Sequence, residues 1–387
     1  MIKIPLSNPN PDFDDMIKVL NGNSNSSKVH LVELLIDEEI KKAIIEKYFD
    51  EENFSRPEIS KSTFSIGNNL EFKTDIEEFK KYYTQYINFY YRLGYSVLPD
   101  IDFIFYLNVF NSVYRKGKDP IGGMLARNER HWAQEGKGLI QNWNDFEKFP
   151  WKKIDELIEI YSNHLEFKSR ILPDGMQIAV IGSLIEIIME WLLGYEIVLY
   201  NVYDNTEFID EVFNKLGKIM FNFYSTSIQV EKVGVLWHSD DIGYKTGTIL
   251  SPLHLRKWVF PWFKKYSEIA HQNNKVSWLH SCGNKFEVMN DIISDMKYDA
   301  VHSFEDVSYS IIEYKKKYGN EIALLGGIDV DKLARYDEID LRKHIRKVLS
   351  ICMTGGKFAL GSGNTITNYI PLRNYFIMLE EGINYRA

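Results

Sequence analysis

Cysteine is scarce in this 387-residue chain, which contains only Cys282 and Cys352. Two thiols exclude a disulfide framework and suit a reducing compartment. The chain also lacks a long basic run, and its formal net charge is −8. Because proteins bind a phosphate backbone through clustered basic side chains, the composition argues against nucleic acid as a partner.

Long hydrophobic runs are missing as well. The apolar stretch around residues 187–193 is bounded by Glu186 and Gly194 and interrupted by Glu190. A membrane-spanning helix needs about 20 consecutive apolar residues. The first residues have neither the apolar centre nor the cleavage pattern of a signal peptide. We therefore expect no membrane partner and a cytoplasmic location.

Short apolar segments, by contrast, recur along the chain and alternate with helical patterns. Strands are predicted at 29–35, 103–107, 176–181, 233–237, 300–303, 322–325 and 357–360, together with one that begins at Val276. Eight such units, most of them followed by a helix, predict a (β/α)8 TIM barrel of the α/β class. We expect a single barrel domain over 1–387, with an irregular N-terminal arm at 1–27 and insertions that include a long loop region at 115–150.

Helices are predicted most clearly at 38–48, 76–93, 152–169 and 338–352. The first of these comes after Asp37, which is a typical N-terminal capping residue. The second has Tyr and Phe at three- and four-residue spacing, typical of an amphipathic helix. Glu33, inside the first predicted strand, is expected to be an ion-paired or edge carboxylate.

Reactive side chains concentrate just after the predicted strands. In a barrel of this class, active sites lie at the carboxyl ends of the strands. This agreement predicts an enzyme, and the residues concerned are Asp240, Asp241, His280, Cys282, Glu305, Asp306, Asp329 and Asn364.

His280 and Cys282 form the sharpest of these patterns. They are two residues apart at the end of a short strand, so both side chains point to one side if the strand continues. An imidazole nitrogen and a thiolate sulfur make half of a tetrahedral zinc site. A locally hydrogen-bonded histidine beside an inert thiol remains the alternative interpretation of this pair.

The order of motifs over residues 125–385 resembles the uroporphyrinogen decarboxylase superfamily, and within it the corrinoid-linked methyltransferase branch. The resemblance rests on Trp237 with Asp240-Asp241-x-Gly243, His280-Ser281-Cys282-Gly283, Glu305-Asp306, Gly326-Gly327-Ile328-Asp329 and Gly361-Ser362-Gly363-Asn364. The decarboxylases carry an arginine-rich N-terminal segment, whereas the first hundred residues here contain only Arg56 and Arg92. The decarboxylases also lack the His-x-Cys pair that this chain has at His280 and Cys282.

The methyltransferase branch adds a second cysteine after the last strand, where this chain has Asn364. The resemblance therefore implies that a carboxylate completes the metal set of His280 and Cys282. The candidates are Glu186, Asp240 and Asp241, and we favour Glu186 as the third metal ligand. A carboxylate in place of a thiolate makes zinc a stronger Lewis acid, which suits a poor leaving group.

The resemblance implies a zinc-dependent methyltransferase. The enzyme would move a methyl group from a small methylated donor, such as a methoxylated aromatic, to a corrinoid carried by a partner protein. Asp240 and Asp241 are then the expected catalytic residues, and the expected substrate-binding residues are Trp237, His302, Glu305 and Asn364. The alternative is a decarboxylase of a carboxylated substrate. A corrinoid-binding protein without turnover is disfavoured because the chain has no D-x-H-x-x-G motif. The oligomeric state stays open, a homodimer included.

Overall fold

A parallel sheet of seven strands forms the centre of the molecule. The computed structural model describes residues 3–23, 28–59, 72, 75–110, 114–117, 130–133 and 138–386. The strand order in this sheet is β10-β9-β8-β7-β6-β5-β2, so each strand from β5 onward lies beside the next one in the chain. Its strands are β2 Val97–Asp100, β5 Gln177–Gly182, β6 Val233–Ser239, β7 Val276–His280, β8 Ala300–His302, β9 Ala323–Ile328 and β10 Phe358–Ser362.

The sheet curls around an interior core. Alternate residues of a strand point to the same face, and residues of this kind from all seven strands meet in one apolar cluster. The cluster contains Val97, Ala179, Ile181, Val235, Trp237, Trp278, Ala300, Ala323, Leu325 and Ala359, and Val32 and Leu34 join it from the N-terminal segment. One shared cluster requires the sheet to bend until its inner face surrounds these side chains.

The N-terminal segment lies along the free edge of β10 without completing the barrel. Leu31 forms a single parallel bridge to Leu360, and the Val32 amide donates to the Leu360 carbonyl at 2.9 Å. Leu35–Ile36 (β1) pairs instead with Thr365–Ile366 (β11). The predicted α/β architecture with parallel strands is confirmed, whereas a closed eight-stranded barrel is not formed within the described residues.

The predicted N-terminal arm contains a helix, Phe13–Leu20 (α1), so it is not irregular. Its N-cap, Asp12, accepts a hydrogen bond from the Asp15 amide. Met16 and Leu20 are buried in the interior cluster of the sheet. The error came from treating the polar run at 21–27 as typical of the whole segment, although the cap and the apolar spacing before it were helical. Residues 1–2 and 24–27 of this predicted arm lie outside the described residues.

The remaining helices pack outside the sheet, and several have the predicted bounds. The helix after Asp37 runs from Glu38 to Tyr48, and the aromatic helix from Ile76 to Arg92 buries eight residues. No described helix has both the length and the apolarity to span a bilayer. The α-helices after α1 are α2 Glu38–Tyr48, α3 Ile76–Arg92, α4 Asp102–Leu107, α5 Trp143–Lys148, α6 Lys152–Ile171, α7 Tyr195–Asp204, α8 Thr206–Ser227, α9 Pro252–His254, α10 Phe260–Gln272, α11 Ile311–Tyr318, α12 Val330–Arg335, α13 Glu338–Cys352 and α14 Leu372–Asn384.

Two further predictions about secondary structure were wrong. Residues 103–107, predicted as a strand, form helix α4, and the strand of that unit is Val97–Asp100 just before it. Both segments are short and apolar, and periodicity cannot separate a buried strand from a buried helical turn at this length. Within the long loop region at 115–150, helix α5 is present, and an antiparallel hairpin pairs β3 Tyr114–Gly117 with β4 Arg130–Ala133. Residues 118–129 and 134–137 lie outside the described part of the chain.

Candidate metal centre

The ends of β6 and β7 bring three potential ligands together. His280 closes β7, Cys282 lies just beyond it, and Asp241 lies two residues beyond the end of β6. One donor atom of each lies within 4.8 Å of the others. His280 Nε2 is 3.5 Å from Cys282 Sγ and 3.6 Å from Asp241 Oδ1. These are distances at which nitrogen, sulfur and oxygen can surround one ion.

Two glycines allow the loops after β6 and β7 to approach this closely. Gly283 adopts a φ of +72°, and a Cβ there would meet the backbone of Gly243 at 2.5 Å. A Cβ at Gly243 would meet the Cys282 carbonyl oxygen at 2.6 Å. The contact lets the Cys282 amide donate to Asp241 Oδ1 at 2.7 Å. The motif glycines therefore place Asp241 beside Cys282.

His280 is held by a second histidine on the neighbouring strand. His302 pairs with His280 in the register of β7 and β8, and their Nδ1 atoms are 2.6 Å apart. His302 Nε2 lies 3.2 Å from the carbonyl oxygen of Ser362, which can only accept. A neutral His302 must therefore carry its proton on Nε2 and accept at Nδ1.

This chain of hydrogen bonds determines the tautomer of His280. Because His302 Nδ1 accepts, His280 donates from Nδ1 and keeps a bare lone pair on Nε2. That atom is the one that faces Cys282 and Asp241. Burial lowers the pKa of His280 well below its ordinary value and that of His302 to about 3. Both rings are neutral at physiological pH, as a metal-binding histidine requires.

The thiol of Cys282 is partly buried and receives a hydrogen bond from Asn364. Asn364 Nδ2 lies 3.1 Å from Sγ and 3.1 Å from Glu305 Oε1, so the amide bridges the sulfur and a carboxylate. Burial, and after it the charges of Asp241 and Glu305, raises the pKa of Cys282 well above its usual value. A divalent cation reverses this balance because it stabilises the thiolate directly.

Glu186, favoured as the third ligand from sequence, lies beside the set of three and outside it. Its pKa is raised well above the ordinary value by burial and by the neighbouring charges of Asp241 and Asp240. The geometry thus places Asp241 in the position that we predicted for Glu186. The contact of Gly243 with the loop after β7 brings Asp241 next to Cys282. No local sequence pattern predicts that contact.

Asp240 is buried and its carboxylate is fully engaged. It accepts hydrogen bonds from the Ser183 hydroxyl, the amides of Leu184 and Glu186, and His238 Nε2 at distances of 2.5–3.0 Å. These contacts fix the turn after β5, where Glu186 begins a helical segment. The catalytic role of Asp240 stays a prediction, and its contacts indicate that it supports the turn after β5.

Trp237 is fully buried in the interior of the curled sheet. Its ring packs edge-on against Trp278 at 5.2 Å and against His302 at 5.7 Å. The side chain thus forms the floor beneath the histidine pair. The sequence-based assignment of Trp237 to substrate binding stays a prediction, and its contacts indicate a supporting role.

Lys285 is a functional candidate that sequence reasoning missed. It is buried, and its Nζ donates to the carbonyl oxygens of Ser281 and Ser303 at 2.9 Å each. Burial lowers the pKa of Lys285 to about 8, while its interactions with Cys282 and Asp241 act in the opposite direction. A cation below several acidic groups reduces their mutual repulsion. In the sequence, its position directly after Cys282-Gly283-Asn284 could have indicated that Lys285 belongs to the site.

A polar cleft opens beside the three ligands. Its volume is about 340 Å³, and Glu305 and Asn364 line it together with Leu35, Asp37, Val330, Thr365, Thr367 and Tyr369. Asn364 also contacts the Cys282 sulfur, so this side chain lies between the cleft and the candidate metal position. Glu305 and Asn364, two of the residues predicted to bind substrate, line this cleft, and their role in binding stays a prediction.

Comparisons with known proteins give a structural likeness only. No protein-family model matches the chain, and no curated protein matches it. A methyltransferase from Methanosarcina mazei aligns with a TM-score of 0.63 at 11% sequence identity, covering 96% of this chain and 98% of that one. A proposed vitamin-B12-independent methionine synthase from Listeria monocytogenes aligns at 12% identity over 92% and 94% of the chains, but its TM-score of 0.46 supports no inference. This chain therefore shares a fold with the Methanosarcina methyltransferase.

Proposed function

We propose that this protein is a zinc-dependent methyltransferase that takes a methyl group from a small methylated donor and passes it to a corrinoid carried by a separate protein. One observation carries the proposal. The lone pair of His280 Nε2 faces both Cys282 and Asp241, and the hydrogen bond to His302 keeps that nitrogen unprotonated.

The donor set supports zinc among the common metals. Thiolate sulfur, imidazole nitrogen and carboxylate oxygen are all zinc ligands, whereas magnesium and calcium bind oxygen almost exclusively. Three protein ligands leave a fourth tetrahedral position for substrate, which is the catalytic arrangement. A zinc ion there would act as a Lewis acid on the atom from which the methyl group departs.

The residues of this chain have separable tasks in that reaction. His280, Cys282 and Asp241 would hold the ion, and the Asn364 amide would stabilise the metal-bound thiolate through its hydrogen bond to sulfur. The cleft lined by Glu305 and Asn364 would bind the methylated donor. Binding the donor there would supply the proximity part of catalysis.

The acidic character of the cleft favours methyl transfer over decarboxylation. Gripping a carboxylated substrate requires basic side chains, yet the described lining of the cleft contains Asp37 and Glu305 and no lysine or arginine. Of the basic residues that a decarboxylase was expected to use, Arg127 and Lys137 lie outside the described residues, and Arg130 is described only by its position in strand β4.

The direct test is an assay of the purified protein with methylated aromatic ethers and methylated amines, using a reduced corrinoid protein as acceptor. Methylation of the cobalt, detected in its absorption spectrum, is the expected result. Cys282→Ala and Asp241→Asn should lose this activity. Cys352→Ala is the matched control and should retain it, because Cys352 lies buried in helix α13. Release of carbon dioxide from a carboxylated substrate without metal would contradict the proposal.

A further inference from the structure

Glu33 is a buried carboxylate that the proposed reaction does not use. It lies on the N-terminal segment beside β10 and is 2% exposed. Within the described residues no lysine, arginine or histidine lies within ion-pair distance of Glu33, so it is not the ion-paired carboxylate predicted from sequence. Its partners both belong to Ser362, whose amide lies 2.7 Å from Oε1 and whose hydroxyl lies 2.5 Å from Oε2.

Ser362 connects this carboxylate to the histidine pair. The Ser362 carbonyl accepts from His302 Nε2, and His302 Nδ1 accepts from His280 Nδ1. Glu33 is thus the far end of a continuous hydrogen-bonded chain that ends at the candidate metal ligand. Glu33 binds the amide and hydroxyl of Ser362, and His302 donates a hydrogen bond to the carbonyl oxygen of the same residue.

The packing around Ser362 leaves little room for another arrangement. A Cβ at Gly361 would stand 1.8 Å from the Val32 carbonyl oxygen, and one at Gly326 would stand 2.3 Å from the Ser362 carbonyl oxygen. These two glycines explain the Gly-Ser-Gly and Gly-Gly motifs by close backbone approach. The carbonyl that orients His302 is therefore fixed by Glu33 and by tightly packed backbone.

Fold stability gives no reason to keep a carboxylate at this position. Burying an acid without a cation costs free energy, and burial raises the pKa of Glu33 to about 8. An amide side chain of similar size would keep partners for Ser362 and cost less to bury. Glu33 is thus a carboxyl group that is unfavourable to bury, and its only described hydrogen bonds go to Ser362, on the side of the candidate metal site.

We propose that Glu33 is a positioning residue of the metal centre: by holding Ser362 it orients His302, which in turn fixes His280 with its Nε2 lone pair free for the ion. This inference rests on the zinc site proposed above and extends it to a segment about 250 residues away in sequence. Partners of this kind behind a metal-binding histidine commonly change metal affinity by about 10- to 100-fold when removed.

Two substitutions separate positioning from bulk structure. Glu33→Gln keeps an acceptor for the Ser362 amide and a donor for its hydroxyl, so it should bind zinc nearly as wild type does. Glu33→Leu removes both contacts and should weaken zinc binding by about 10- to 100-fold, measured by competition with a chromophoric chelator. Glu381→Gln is the matched control, because Glu381 is a buried carboxylate on helix α14 that pairs with Arg342 and Arg346.

A metal-free readout tests the same chain independently. In apo protein labelled with ¹⁵N-histidine, His280 should carry its proton on Nδ1 in wild type and in Glu33→Gln. In Glu33→Leu this tautomer should be lost. A purely structural role would lower the thermal midpoint of Glu33→Leu and leave the tautomer and the zinc affinity of the folded protein unchanged, as expected for Glu381→Gln.

The outcomes distinguish this inference from the proposed function. If wild type binds zinc and Glu33→Leu keeps both its affinity and the His280 tautomer, the role of Glu33 is refuted while the zinc site stands. If wild type binds no zinc, the proposed function fails and the role of Glu33 in a metal centre fails with it.

Discussion

The pH dependence of stability offers a quantitative test of the environment of Glu33. Burial raises its pKa to about 8 in the folded protein, against an ordinary value near 4.5. Between these two values the unfolded chain has released the proton and the folded protein still holds it. Folding therefore takes up a proton, and stability falls as the pH rises through this window.

The magnitude is set by the width of the window. One pKa unit corresponds to about 1.4 kcal/mol, so raising the pH from 5.5 to 7.5 should cost about 3 kcal/mol through Glu33 alone. Glu33→Gln cannot titrate and keeps the contacts to Ser362. The variant should therefore gain about 3 kcal/mol relative to wild type over these two pH units.

The assay is guanidinium unfolding of metal-free wild type and Glu33→Gln at pH 5.5, 6.5 and 7.5. Every other titrating group contributes equally to the two proteins, so the difference isolates Glu33. Parallel stability profiles for the two proteins across this range would refute the reasoning, since they would mean that Glu33 titrates alike in the folded and unfolded states.

Four further predictions concern the metal site and its supports. His302→Leu leaves the His280 Nδ1 proton without an acceptor and should weaken zinc binding by about 10- to 100-fold in chelator competition. The Cys282 thiol is protonated and His280 is neutral in the metal-free protein, so binding of one zinc ion should release one proton. Zinc affinity near pH 7.5 should therefore rise about tenfold per pH unit, and calorimetry in buffers of different ionisation enthalpy should detect the released proton. An affinity that does not depend on pH would contradict this prediction. Cys352→Ala should cost about 1 kcal/mol of stability in denaturant unfolding and leave the zinc content unchanged. Asp240→Ala should lower the thermal midpoint strongly, because four buried donors lose their acceptor.

Much of the architecture could be predicted because local signals and tertiary packing agree. Helix α2 begins at the residue after Asp37, and α13 has the bounds predicted for 338–352. The segment 103–107 shows the limit, since a five-residue apolar run satisfies a strand and a buried helical turn equally well. The assignment of the whole chain to one domain stays a prediction, and limited proteolysis should cut first in 1–27, 50–75 or 115–145.

The site was only partly predictable for a different reason. His280 and Cys282 are neighbours in sequence, so their two-residue spacing was enough to pair them. Asp241 joins them through the contact of two glycine loops, and Glu33 reaches Ser362 across 329 positions. A single sequence records neither contact, and this is why Glu186 was favoured as the third ligand and the role of Glu33 was missed.

X-ray absorption at the zinc edge of the purified protein tests the central claim most directly. The proposed set predicts one sulfur ligand, from Cys282, at about 2.3 Å from zinc. Nitrogen and oxygen ligands from His280, Asp241 and a substrate or water should lie at about 2.0–2.2 Å. The sulfur contribution should vanish in Cys282→Ala and persist in Cys352→Ala. Two sulfur ligands per zinc, or a zinc spectrum without sulfur in the wild-type protein, would contradict the account.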